Sequence, residues 1–140
     1  MSSNNIAFIG VGNMGNPMAS QLVKGGKKVK AFDVSSDVIK KAKQSGLHIV
    51  DSIEELLNDA STVISMLPEG KHVRSLYLGD KGILKKIRKD CLIIDCSTID
   101  IETSLTLGSE AKKIGIKMID APVTGCLFYT SPSPRDNGRS

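Results

Sequence analysis

Short apolar runs alternate with stretches of helical periodicity along most of the chain. The runs are Ile6 to Gly10, Lys28 to Phe32, His48 to Val50, Thr62 to Met66, Cys91 to Asp95 and Lys117 to Asp120. Each is too short for a helix and is bounded by turn formers, so each predicts a strand. Strand, helix, strand at this spacing predicts right-handed βαβ units and a parallel sheet covered by helices on both faces.

The intervening segments carry their own start and stop signals. The first helix is expected to begin near Asn13 and to turn Met18, Leu22 and Val23 toward the sheet, with Gly25-Gly26 as its end. Pro17 falls near its first turn, where a missing N–H costs least. A second helix over Ser36 to Ser45 presents Val38, Ile39 and Ala42, and Gly46 stops it. Ser52-Ile53-Glu54-Glu55 reads as a capping box opening a short helix that runs to about Asn58. Asp100 is the expected cap of the last helix, whose stripe is Ile101, Leu105, Gly108 and Ala111 and whose terminator is Gly115.

Composition narrows the class without changing this picture. The chain has 140 residues, 40% apolar and 24% charged, with no Trp, three Phe and two Tyr. That predicts one ordinary globular domain with an aliphatic core, and a chain of this size can bury roughly 68% of its unfolded surface without a disulfide or metal staple. The net charge of +4 comes from lysine pairs scattered along the chain, such as Lys27-Lys28 and Lys112-Lys113. No aromatic or arginine-rich patch accompanies them, so no nucleic-acid partner is expected. Cys91, Cys96 and Cys126 show no CxxC spacing and no metal-ligand pattern, and they read as reduced thiols, the first two as buried strand residues. Met1 to Asn5 is short and polar, and no run is apolar enough to span a membrane, so no targeting peptide or membrane partner is expected. From Thr130 to Ser140 there is no apolar residue to bury; residues 126–140 are expected to be a disordered tail and residues 1–125 the folded domain.

Gly10-Val11-Gly12-Asn13-Met14-Gly15 directly follows the first strand and opens the first helix. In that context a GxGxxG turn binds a pyrophosphate: Gly10 permits the tight turn, Gly12 lets the backbone approach the phosphates, and Gly15 lets the helix pack closely. The helix N-terminus adds free N–H groups and positive potential. Asp33 ends the second strand 18 residues after Gly15, where a carboxylate can accept hydrogen bonds from the adenosine ribose. It favours NAD, since it would repel a 2′-phosphate, and Val34-Ser35-Ser36 offers no arginine, although Lys40 or Lys41 lies within reach of the same region. Helix capping is the alternative role for Asp33. Met66-Leu67-Pro68, Asp95-Cys96-Ser97-Thr98 and Asp120-Ala121-Pro122-Val123-Thr124-Gly125 follow later strands on the rim where open α/β sheets bind ligands.

In order and spacing, these segments resemble the β-hydroxyacid dehydrogenase family over about Asn5 to Gly125. The resemblance implies a Rossmann domain, an α/β fold with a doubly wound, mostly parallel six-stranded sheet. It implies that Gly10, Val11, Gly12, Asn13, Met14, Gly15, Asp33, Leu67, Pro68 and Thr98 hold NAD, and that Ser97, Thr124 and Gly125 hold a small β-hydroxyacid. Cys96 and Thr124 stand where relatives usually have Ser, and His72 where a cofactor-contacting Asn is common. Oxidation of 3-hydroxyisobutyrate to its semialdehyde is the implied reaction, and NADP-linked reduction of tartronate semialdehyde, succinate semialdehyde or glyoxylate the alternative. Family members continue into a helical domain that supplies a catalytic lysine. No lysine here matches that position, so the chain is also expected to act as a nucleotide-binding fragment without turnover. Homo-oligomers occur in the full-length family, and its eukaryotic members are mitochondrial.

Overall fold

The computed structural model describes residues 5–78, 81–97 and 99–121. Six strands, β1 (Asn5–Ile9), β2 (Lys28–Phe32), β3 (His48–Ile49), β4 (Thr62–Ser65), β5 (Leu92–Asp95) and β6 (Lys117–Asp120), form one sheet. Its order is β3-β2-β1-β4-β5-β6, and every neighbouring pair is parallel. The helices are α1 (Gly15–Lys24), α2 (Ser36–Gln44), α3 (Ile53–Leu57), α4 (Gly70–Tyr77) and α5 (Ile101–Lys113), with a 3-10 turn at Ile83–Lys85. The chain leaves β1 toward β2 on one side and returns past it to β4 on the other, so β1 and β4 are adjacent at the point where the winding reverses.

Alternation along β1 shows why both faces are covered. Ile6 and Phe8 enter one buried cluster with Val29, Ala31 and Ile64, against Ala19 of α1 and Ala42 of α2. Ala7 and Ile9 enter the other with Val63 and Ile93, against Val73 and Tyr77 of α4 and Leu107 and Ala111 of α5. Successive side chains of a strand point to opposite faces, so a run without polar interruption requires a helix layer on each side.

Local signals place the helices well. The Ser52 hydroxyl accepts from the Glu55 amide at 3.1 Å, and Asp100 Oδ2 accepts from the Thr103 amide at 2.9 Å, the two caps the sequence predicts. Cys91 and Cys96 are both buried, flanking β5 rather than lying within it. Burial pushes the Cys91 thiol up to about 11, which leaves it protonated and unreactive near neutral pH.

Two expected faces are corrected. Val23 is exposed, and α1 packs through Ala19, Met18 and Leu22 instead. On α5, Ile101 and Leu105 are 77% and 68% exposed and Gly108 is exposed too, while Thr103, Leu107 and Ala111 face the sheet. Both α5 stripes have helical spacing; the buried one contains a threonine whose hydroxyl donates to Asp100 Oδ1 at 2.8 Å, so its polarity is satisfied locally. The expected tail over 126–140 lies outside the described residues. Among the described residues, no helix is long and apolar enough to cross a membrane, and no group of His, Cys, Asp and Glu is arranged to hold a metal ion.

Candidate dinucleotide site

The glycine turn is built by close approach. Gly10 has φ +92°, and a Cβ there would lie 2.1 Å from the Met66 carbonyl oxygen; one on Gly15 would lie 1.8 Å from the Gly10 carbonyl oxygen. Any side chain at either position would push β1, β4 and α1 apart. A Cβ on Gly12 would meet nothing within 4 Å. That space adjoins a cleft of about 640 Å³, so bare backbone faces open volume where a phosphate would have to approach.

The start of α1 points into the same space. Its first hydrogen bond runs from the Asn16 amide to the Gly12 carbonyl at 2.9 Å, and no side chain caps the helix. The Asn16 amide is thus taken and Pro17 has none, but no side chain among the described residues competes for the N–H groups that open the helix, so these and the positive end of the helix dipole face an anion.

Asp33 closes the other side of the turn. Its Oδ2 accepts from the Val11 amide at 3.0 Å and its Oδ1 from the Ser35 amide at 3.0 Å. The helix-capping alternative for Asp33 is removed, because Ser35 is the cap of α2, accepting from the Val38 amide at 3.4 Å. The carboxylate lines the cleft beside Val34, which is 91% exposed. From α2 it is Val38 that lines the cleft; Lys40 and Lys41 are exposed and do not. Among the described residues, no cation therefore lines the cleft next to Asp33 to receive a 2′-phosphate, and the carboxylate would repel one.

Gly10, Gly12, Asn13, Met14, Gly15, Asp33, Leu67 and Pro68 all line this cleft, so it gathers most of the cofactor residues expected from sequence. Val11 does not: its side chain is buried in the core, and its contribution is the amide that orients Asp33. Thr98, Thr124 and Gly125 lie outside the described residues. On the far wall, made by His72, Ser75 and Leu76 of α4, the sequence reading had marked only the position of His72; it missed Ser75 and Leu76 and the Ile9 and Phe32 floor. The spacing of His72, Ser75 and Leu76 marks one helical face, but the sequence alone does not say that this face meets the glycine turn.

Ser97 is corrected. It follows β5 as expected, yet it is fully buried, its hydroxyl donating to Asp95 Oδ1 at 2.7 Å and accepting from the Leu67 amide at 2.7 Å. A hydroxyl engaged in both directions inside the protein is not presented to a substrate. Nor does it cap α5, a role taken by Asp100.

The donor set suits a nicotinamide dinucleotide: uncapped N–H groups for the pyrophosphate, bare backbone at Gly12, a carboxylate for the ribose hydroxyls and apolar walls for the rings. Fold and site together define a dinucleotide-binding domain. The family model described as the NAD binding domain of 6-phosphogluconate dehydrogenase matches residues 5–127, and the chain belongs to that family. It is 45% identical over 120 residues to the 3-hydroxyisobutyrate dehydrogenase of Pseudomonas aeruginosa, covering 86% of this chain and 40% of that protein. It is 44% identical to the mitochondrial 3-hydroxyisobutyrate dehydrogenase of Mus musculus, covering 86% of this chain and 36% of the mouse protein. The NAD-dependent L-serine dehydrogenase of P. aeruginosa is 39% identical over 120 residues, with the same 86% of this chain and 40% of that protein covered. Among solved structures, the Mycobacterium tuberculosis 3-hydroxyisobutyrate dehydrogenase with L-serine superposes with a TM-score of 0.78 at 36% identity, over 86% of this chain and 40% of the other. The chain thus spans about two fifths of the length of these relatives.

Proposed function

We propose that this chain is the cofactor half of an NAD-dependent dehydrogenase acting on a small β-hydroxyacid, with 3-hydroxyisobutyrate as the first choice. The observation that carries the cofactor role is the pairing of an uncapped α1 N-terminus with the Asp33 carboxylate across one cleft. When bound, NAD accepts the hydride from the carbinol carbon. The residues of this chain hold the pyrophosphate on α1, receive the ribose hydroxyls at Asp33 and keep water from the rings with Leu67, Pro68 and Leu76. Thr98, Thr124 and Gly125 are proposed contacts on the nicotinamide and substrate side. L-serine is the second reading, supported by the serine dehydrogenase relative and by the serine named with the mycobacterial structure.

Removing a hydride from an alcohol also requires a base within hydrogen-bond reach of its hydroxyl. No lysine lines the described cleft, and we expect the 140 residues by themselves to bind NAD without turnover. The test is calorimetric titration of the chain with NAD and with NADP, alongside an absorbance assay with NAD and either 3-hydroxyisobutyrate or L-serine. Tighter binding of NAD than of NADP with no reduction of NAD supports the reading. Absent binding to a folded chain overturns the cofactor role, equal binding of NAD and NADP overturns the choice of NAD, and turnover overturns the expectation that this chain is inactive alone.

A further inference from the structure

Asp95 lies at the C-terminal end of β5 beneath the cleft and does not line it, yet the β4 side of the cleft hangs from its carboxylate. The side chain is fully buried, and its Oδ1 alone collects three donors: the Ser65 hydroxyl at 2.8 Å, the Ser97 amide at 3.2 Å and the Ser97 hydroxyl at 2.7 Å. With its proton committed to Asp95, the Ser97 oxygen accepts from the Leu67 amide at 2.7 Å. The Ser65 hydroxyl, likewise directed at Asp95, is bonded to the hydroxyl of Tyr77, a fully buried residue of α4. One oxygen atom therefore reaches two pieces of the cleft wall. Through Ser97 it fixes the Leu67-Pro68 loop; through Ser65 and Tyr77 it fixes the helix that carries His72, Ser75 and Leu76.

The other oxygen, Oδ2, is buried and has no hydrogen-bond partner among the described residues, a cost a structural carboxylate ordinarily avoids. The network therefore uses Asp95 as a triple acceptor at one point, Oδ1. An amide whose oxygen takes the place of Oδ1 supplies the same acceptor.

We propose that Asp95 is a positioning residue for the dinucleotide: through Ser97 and Ser65 it sets the Leu67 loop and α4 at the spacing the cofactor needs. The proposal rests on the cofactor reading above and adds to it a residue that does not touch the ligand. Buried hydrogen-bonded networks specify a geometry as well as stabilise it, so their loss is read in binding beyond what it costs in stability.

The experiment compares the full chain with S97A, D95A, D95N and the core control I83V, which trims a buried side chain on the 3-10 turn away from the cleft. NAD affinity, melting temperature and hydrogen exchange at the Leu67 amide are measured for each. S97A is expected to weaken NAD binding about five- to tenfold and to speed Leu67 exchange, because that amide loses its acceptor. D95A is expected to match or exceed it; should D95A fail to fold, S97A carries the test. D95N is expected to bind NAD within about twofold of the unaltered chain, which a role as a buried charge would not allow. I83V is expected to lower the melting temperature while leaving affinity and Leu67 exchange unchanged. The proposal is overturned if S97A binds NAD as the unaltered chain does, or if affinity merely tracks melting temperature across all four variants, including I83V. NAD binding by the unaltered chain with unaffected variants leaves the cofactor reading standing and sinks this one; absence of NAD binding by the unaltered chain overturns both.

Discussion

The Asp33 carboxylate accepts the Val11 amide at 3.0 Å, so the end of β2 and the glycine turn after β1 are held as one unit before any ligand arrives. The side chain expected to select the cofactor is thereby also one that shapes its phosphate site.

Asp33→Ala should therefore act twice. NAD affinity should fall about tenfold or more as the ribose loses its acceptor, and the preference for NAD over NADP should shrink because the repulsion of a 2′-phosphate is gone. The unpaired Val11 amide should lower stability by about 1–3 kcal/mol, since a buried donor is left unsatisfied. Parallel titrations with NAD and NADP and a urea melt check this; a variant that keeps its preference for NAD would show that discrimination lies elsewhere.

Two glycine-to-alanine changes should have opposite signs. At Gly15 the new Cβ would meet the Gly10 carbonyl oxygen at 1.8 Å, backbone against backbone, and the loss should be several kcal/mol or complete failure to fold. At Gly108, exposed within α5 and with nothing within 4 Å of a Cβ, alanine should stabilise by about 0.5–1 kcal/mol. Chemical denaturation of both variants decides it, and a stabilised G15A would rule out this packing.

Asp95 gives a pH dependence of definite sign. Burial raises its pKa, and the nearby Asp120 charge adds to the rise. An acid whose folded pKa exceeds its unfolded one is costly to keep ionised. Its contribution therefore improves as pH falls through the folded value and is fully favourable only below the unfolded value near 4. Asp95→Asn removes this dependence, so the melting temperature of D95N minus that of the unaltered chain should be more positive at about pH 8 than at about pH 5. An identical difference at both would mean that Asp95 does not titrate in this window.

Ile101 and Leu105 should tolerate charge. Both are largely exposed on α5, so I101K and L105K should change folding stability by no more than about 0.5 kcal/mol. A loss of 2 kcal/mol or more in a thermal or urea melt would show that this face is packed in solution.

Much of the molecule was legible without coordinates, for reasons that can be traced residue by residue. Ser52 and Asp100 announced their helices because a cap is satisfied within three residues. Gly10 and Gly15 announced the phosphate turn because the demand for a missing side chain is imposed at one position and cannot be shared. The helical stripe of α5 was misassigned because 3.6-residue spacing identifies a face without saying what lies opposite it. The threonine in the buried stripe disguised it, and its bond to Asp100 is visible only in three dimensions. Ser97 was misread for a related reason: a hydroxyl at a strand end on the ligand rim looks the same whether it turns outward or inward.

The sequence by itself determined the order of the six strands and of four of the five described helices, α4 being the one it left unread, together with the aliphatic two-faced core, the glycine turn and the acidic end of β2, because strand alternation, caps and turn glycines are constraints among near neighbours. Tertiary structure alone decided that β4 returns beside β1, that α4 becomes the far wall of the cleft and that Asp95 ties that wall together through Ser97 and Ser65. Those relations join residues about 30 positions apart, such as Leu67 to Ser97 and Ser65 to Asp95. Their energy exists only once the sheet has assembled and water has been excluded from the space between its strands and helices.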